Sequence, residues 1–186
     1  MGDDMETDYV NEAEKKLGFP EQAARLCEGL GYRPFASLLV PSLLGMNEVK
    51  MGSVDAENHL EPFDTKKETK KKISKSFCEA GNLRGGNGSE RNVALHLSQV
   101  LLFPHFLAEK GLAINRTPEN GGDLDVRTFE ELENLFAAEK LHPADLKTAV
   151  TREINAIFDP VREELAATQA KMIKEAFPVK KGGKKK

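Results

Sequence analysis

A mainly α-helical protein is what this sequence predicts, on three observations. Apolar residues recur at three- and four-residue spacing in several stretches. Two Thr-x-x-Glu pairs, Thr65/Glu68 and Thr128/Glu131, stand ahead of helical runs, and Pro20 and Pro143 sit where a first helical turn tolerates proline. One small β hairpin is the expected exception.

In chain order, residues 1–18 are acidic and poor in large apolar groups, and are expected to be a disordered or weakly helical lead. Pro20 opens a helix with Ala23, Leu26, Cys27 and Leu30 at helical spacing and Gly29 and Gly31 at its end. Phe35 to Val40 is an apolar run long enough for one buried strand, and Pro41 closes it. One helix and one strand cannot form a stable sheet, so residues 19–64 are expected to be the remnant edge of a larger α/β domain. Gly45 to Asp64 reads as loop. The helix that Thr65 caps is expected to run to about Glu79, with Ile73 and Phe77 as its apolar stripe and lysine for most of the rest.

Asn82 to Ser89, NLRGGNGS, reads as a flexible loop. Val93, Leu97, Val100 and Leu101 mark a helix that Pro104 should stop. Leu112 to Arg116 and Leu124 to Val126 are expected to pair across Glu119-Asn120-Gly121-Gly122. A helix follows over Phe129 to Lys140. Pro143 starts a longer one with Leu146, Val150, Ile154, Ile157 and Val161 on one face, which Pro160 should kink or divide. A last helix covers Ala167 to Ala176, and Lys180 to Lys186 is a tail of lysine and glycine. Residues 65–178 are thus expected to be a compact helical domain and 179–186 a disordered basic tail.

Composition narrows the functional class. Lys and Arg number 27 against 30 Asp and Glu, a formal charge of −3, so bulk charge does not mark a polyanion binder. Distribution does more: acidic residues crowd the first 30 positions, and lysines crowd Lys66 to Lys75 and Lys180 to Lys186. Cys27 and Cys78 show no metal-ligand spacing, so no metal is expected. No apolar run approaches the ~20 residues of a membrane span, and no secretory h-region is present. The expected compartment is the reducing cytoplasm, with no membrane partner.

Three segments invite a functional reading. Lys50-Met51-Gly52-Ser53 is a short lysine-bearing loop, and taken alone it is accounted for more simply as an ordinary exposed loop. Ile73-Ser74-Lys75-Ser76 mimics the same letters but falls within a predicted helix and is set aside. Lys66, Lys67, Lys70, Lys71 and Lys72 cannot all be buried; they form either a solvated face or a set of phosphate contacts. In Leu141-His142-Pro143-Ala144-Asp145-Leu146-Lys147, a helix start explains Pro143 and Asp145 without further function. The alternative uses the same geometry: His142 stacks on a nucleobase, and the Asp145 carboxylate accepts from a guanine Watson–Crick edge.

Taken in order, these segments resemble the tyrosyl-tRNA synthetases of the archaeal and eukaryotic cytoplasmic kind. The resemblance runs from Leu30 to Pro178. It takes in Phe35 to Leu44, the Lys50 loop, Phe77-Cys78-Glu79-Ala80-Gly81-Asn82, Leu101-Leu102-Phe103-Pro104, Phe136-Ala137-Ala138-Glu139, the His142 to Lys147 stretch and Phe158-Asp159-Pro160-Val161-Arg162-Glu163. It implies a fold class: the helical anticodon-binding domain of a class I synthetase, carrying a small β hairpin and a remnant edge of the nucleotide-binding α/β domain. It implies tRNA-Tyr as partner, with His142 stacking on the first anticodon base, Asp145 reading that base and Cys78 near the second. A second stacking group falls at Asn120, which has no ring.

The same resemblance gives Lys50 a catalytic role on ATP/Mg phosphates, within a degenerate signature loop. Gly52 stands where the family has serine, and Val54 where a hydroxyl is usual. The His-x-Gly-His motif is missing: the four histidines are followed by Leu60-Glu61, Leu97-Ser98, Phe106-Leu107 and Pro143-Ala144. The expectation is the anticodon-binding part of a tyrosine–tRNA ligase that does not bind ATP productively alone. It would act with a catalytic synthetase unit or as a homodimer. The alternative is a synthetase-derived RNA-binding or protein-interaction module.

Overall fold

The computed structural model describes residues 19–33, 42–166 and 168–176. The acidic lead, the strand expected at Phe35 to Val40 and the basic tail lie outside the described residues. The chain divides into two units, Met1–Leu43 and Leu44–Lys186.

In the first unit, helix α1 (Phe19–Gly29) carries Pro20 in its first turn, where a missing N–H leaves no bond unmade. Gly31, at φ +73°, turns the chain so that the Tyr32 N–H reaches the Cys27 carbonyl at 2.8 Å.

The second unit is built around one long helix. Helix α2 (Lys66–Lys75) starts with the expected capping box: the Thr65 hydroxyl accepts from Glu68 N–H, and the Glu68 carboxylate accepts from Thr65 N–H. It ends at Ser76, short of Glu79. Helix α3 (Val93–Leu97), capped by Asn92, continues as a π-helical segment, Ser98–Leu107. Pro104 does not stop this helix, contrary to the expectation from sequence. It lies inside the widened turns, a register that accommodates an interruption of the ordinary bonding ladder.

Strands β1 (Leu112–Ile114) and β2 (Leu124–Val126) pair antiparallel, with Leu112 opposite Val126 and Ile114 opposite Leu124. Their connection contains a 3-10 turn, Pro118–Asn120. Helix α4 (Phe129–Ala137) is capped by Thr128, but Glu131 reaches past it to the Arg127 N–H at 2.8 Å. Helix α5 (Pro143–Ala166) remains one element through Pro160. Helix α6 (Gln169–Ala176) follows.

α5 packs against α2, α3 and β1. Leu146, Val150 and Ile154 are buried on its inner face, while Val161 is exposed, so the stripe fades where these neighbours end. Ile73, Leu95, Leu97, Leu102, Leu112, Ile114, Leu132, Phe136 and Leu141 complete the core.

Residues 44–64 do not form the edge of an α/β sheet, which corrects that part of the expected fold class. Their one pairing is an isolated bridge, Leu44 with Lys50. Buried ionic groups fasten the loop to the helices instead. The Lys72 ammonium donates to both Asp64 oxygens, at 2.6 and 2.7 Å, and to the His59 carbonyl at 3.0 Å, with the Lys72 and Asp64 side chains 7% and 6% exposed. The Glu48 carboxylate accepts from the Gly86 and Asn87 N–H groups, each at 2.8 Å. This pins the NLRGGNGS segment. Gly85 is required there, because a Cβ would lie 2.8 Å from a Glu48 oxygen and 2.0 Å from the Ser89 hydroxyl.

Candidate nucleic-acid interface

The approach from β1 to β2 and the start of α5 meet at a recess of about 490 Å³, lined by Arg116, Asn120, Glu139, Lys140, His142, Ala144 and Asp145. Three candidates from the sequence, His142, Asp145 and Asn120, therefore share one cavity. His142 precedes α5, and its Nδ1 accepts from the Ala144 N–H at 3.1 Å. That bond orients the ring and leaves Nε2 to carry the proton of the neutral form. Asp145 stands in the first turn of α5, and its carboxylate accepts no hydrogen bond among the described residues. Asn120 closes the 3-10 turn and is exposed.

Sequence reasoning misses Arg116 and Glu139. Arg116 Nε donates to the Gly122 carbonyl and Nη1 to the Lys140 carbonyl, both at 2.8 Å, which ties the hairpin connection to the segment before α5. Its position at the end of a predicted strand, shortly before Asn120, is the only signal the sequence carries. Glu139 turns the chain at φ +56°, and its carboxyl lies against Gly81. The loop holding Cys78 and Gly81 thus borders the recess without Cys78 lining it. Burial pushes the Cys78 thiol up to about 11, with the Lys147 ammonium offsetting part of that. Cys78 is accordingly a neutral thiol at physiological pH.

A second recess, about 470 Å³, lies on the other side of His142, between α2 and α5. Lys70, Ser74, Lys147, Thr151 and Arg152 are among its lining groups. The Lys147 ammonium donates to the Ser74 and Ser76 carbonyls, where a cation satisfies the end of α2.

The four lysines expected at the RNA backbone divide. Lys66 pairs with Asp159 at 2.9 Å and Lys71 with Glu57 at 3.4 Å, while Lys67 and Lys70 have no ion pair among the described residues. The lysines hold both carboxyls below their ordinary range. For Asp159 the Lys66 hydrogen bond is the main cause, and for Glu57 the Lys75 bond leads with Lys71 adding to it.

In the loop expected to correspond to the signature, Lys50 is exposed, Met51 half-buried, and Gly52 and Ser53 exposed, with nothing near the position of a Gly52 Cβ. Neither recess includes Lys50. Among the described residues, no three His, Cys, Asp or Glu side chains gather as metal ligands. Among the described residues, no helix is long and apolar enough to cross a membrane.

The model of class I tRNA synthetases (W and Y) matches residues 6–159. The cytoplasmic tyrosine–tRNA ligase of Danio rerio is 35% identical over 157 residues, covering 84% of this chain and 28% of that protein. The tyrosine–tRNA ligase of Methanosarcina barkeri is 35% identical over 138 residues, 74% of this chain and 40% of that protein. Among solved structures, the tyrosyl-tRNA synthetase of Archaeoglobus fulgidus complexed with L-tyrosine superposes with a TM-score of 0.68 at 30% identity, over 82% of this chain and 44% of that one. The chain spans 28% and 40% of the length of these two curated relatives.

The family match overturns the fold class expected from the sequence. It runs unbroken across Asp64 and Thr65, where the expectation separates a remnant edge from a helical anticodon-binding domain. The physical reason is the pair of buried attachments at Glu48 and Asp64, which make residues 44–64 part of the same packed unit as the helices.

Proposed function

This chain belongs to the class I tRNA synthetases (W and Y), among the tyrosine–tRNA ligases, and on that premise we propose that it binds the anticodon loop of tRNA-Tyr and does not activate tyrosine by itself. The observation that carries this reading is the recess shared by His142, Asp145 and Asn120, with an unpaired carboxylate beside an oriented imidazole. A carboxylate accepts from guanine N1–H and N2–H₂ together, which adenine cannot supply. An imidazole offers a stacking face to any base. Lys67 and Lys70 supply sequence-independent attraction to phosphates.

Tyrosine activation, with its ATP and magnesium, we assign to a catalytic synthetase unit acting with this chain in the cytoplasm. Exposed Lys50 beside Gly52 and Val54, and the lack of His-x-Gly-His in these residues, support that division. Adding this chain to a full-length synthetase, or to a second copy of itself, separates a catalytic partner from a homodimer.

The test is binding of anticodon stem-loops with guanine or adenine at the first anticodon position. Guanine should be favoured by about 1–3 kcal/mol, and Asp145→Asn should erase most of that preference. Equal binding of both loops by the wild-type protein would reject base reading and favour a protein-interaction module. Tyrosine-dependent pyrophosphate exchange should be absent from the chain alone. Exchange that Lys50→Ala abolishes would overturn the non-catalytic half.

A further inference from the structure

Within Leu44–Lys186, four arginines face carboxylates: Arg91 with Glu133, Arg127 with Asp125, Arg152 with Glu153 and Arg162 with Asp159. Arg84 and Arg116 have no ion pair among the described residues, and of these two only Arg116 is half-buried. Its acceptors, the Gly122 and Lys140 carbonyls, are neutral, so they fix the guanidinium without cancelling its charge. These bonds use two of the five guanidinium N–H groups and leave three. Gly121, at φ +91°, keeps the space beside Nη2 open; a Cβ there would sit 3.3 Å from it.

The recess also holds two carboxylates, and neither pairs with Arg116. The Glu139 carboxyl leans on Gly81, and Asp145 stands in the first turn of α5. The cavity therefore has an immobilised cation on the hairpin side and a free acceptor on the helix side. A nucleotide carries the complementary pair: an anionic phosphate and, in guanine, a donor edge.

We propose that Arg116 is the phosphate-binding cation of this recess, taking the backbone phosphate of the nucleotide whose base lies against His142. The proposal rests on the anticodon-loop reading above and adds the group that fixes where the sugar–phosphate chain enters. Arg116 then sets register without regard to sequence, while Asp145 reads the base.

The experiment measures stem-loop affinity across a salt series for wild type, Arg116→Gln and Arg116→Lys. Arg116→Gln should weaken binding about tenfold and flatten the log–log salt slope by about 0.7, one single-strand phosphate, while keeping the guanine preference. Arg116→Lys should recover the slope and part of the affinity.

Because Arg116 also braces the hairpin, a second arm uses stem-loops with one uncharged methylphosphonate linkage at each loop position in turn. On wild type, a linkage flanking the first anticodon nucleotide should cost as much as Arg116→Gln does, and the variant should be indifferent to it. Equal losses in both proteins at every linkage would reduce Arg116 to a brace and overturn the proposal. If Arg116→Gln keeps guanine preference with an unchanged salt slope, Arg116 alone is overturned. If wild type binds the stem-loop no better than a scrambled hairpin, the anticodon reading falls too.

Discussion

At the start of α5 the polar groups are held in place from several directions. His142 is oriented by the Ala144 N–H, Arg116 by two carbonyls, and Lys147 by the end of α2. The Lys50 loop behaves differently. From Lys50 to Val54 the chain is largely exposed, with open space at Gly52, although it is tethered on both sides, at Glu48 and at Asp64. Both regions belong to the same unit, so the contrast is local. At the recess the His142 ring and the Arg116 guanidinium are fixed by bonds to backbone, while the Asp145 carboxylate is not. A loop between two anchors keeps its position in the fold without any such constraint on its tip.

The anchors are where this contrast breaks most readily. Asp64→Ala leaves the Lys72 ammonium buried without its counter-ion, and should cost about 3–5 kcal/mol in urea unfolding. A loss below about 1 kcal/mol would mean that the loop is fastened elsewhere.

The recess offers a change in the opposite direction. Asn120→Phe supplies a ring beside His142 and should tighten stem-loop binding by about 1–3 kcal/mol, read by titration of a labelled loop. Unchanged affinity would place the base away from the 3-10 turn.

The smallest effect concerns pH. Burial pushes the Glu153 carboxyl up, and hydrogen bonds from Lys110 and Arg152 more than offset it, so the folded value lies below the ordinary range. Its stabilisation is complete above the unfolded carboxylate range and is lost as pH falls through the lowered folded value. Glu153→Gln should therefore lose less stability than wild type on acidification, a difference visible in melts at neutral and acid pH. Parallel curves would show that the Lys110 and Arg152 contacts contribute nothing.

Local signals are legible where one residue dictates local geometry. Thr65 with Glu68, Pro143, and the Gly121-Gly122 turn each announce their element, and the hairpin pairs as expected except that β1 ends at Ile114. That His142 and Asp145 lie close together is legible because a helix start places them there. Long-range attachments are not. Lys72 looks like its neighbours in a lysine run, yet it alone is buried, and nothing in its local sequence names Asp64 or the His59 carbonyl as its partners. Glu48 reads as a loop acid, although its oxygens serve N–H groups far along the chain. Those two contacts tie residues 44–64 to the helices, and neither partner is named by its local sequence. Pro104 misleads for a related reason: the rule for a proline in a helix assumes regular α bonding, and this helix changes register.

The Glu48 attachment also limits how freely this protein can be taken apart. Asn87 returns a bond from its side chain to the Glu48 carbonyl at 3.2 Å, so the two loops are clasped in both directions. Glu48 itself sits at φ +66°, a conformation that few side chains adopt cheaply, and its neighbour across the clasp has no room for a Cβ at Gly85. Neither loop is therefore an independent module. A chimera that takes residues 82–89 from this chain would have to take residues 44–50 with them, and an insertion tolerated in one loop would have to be matched in the other.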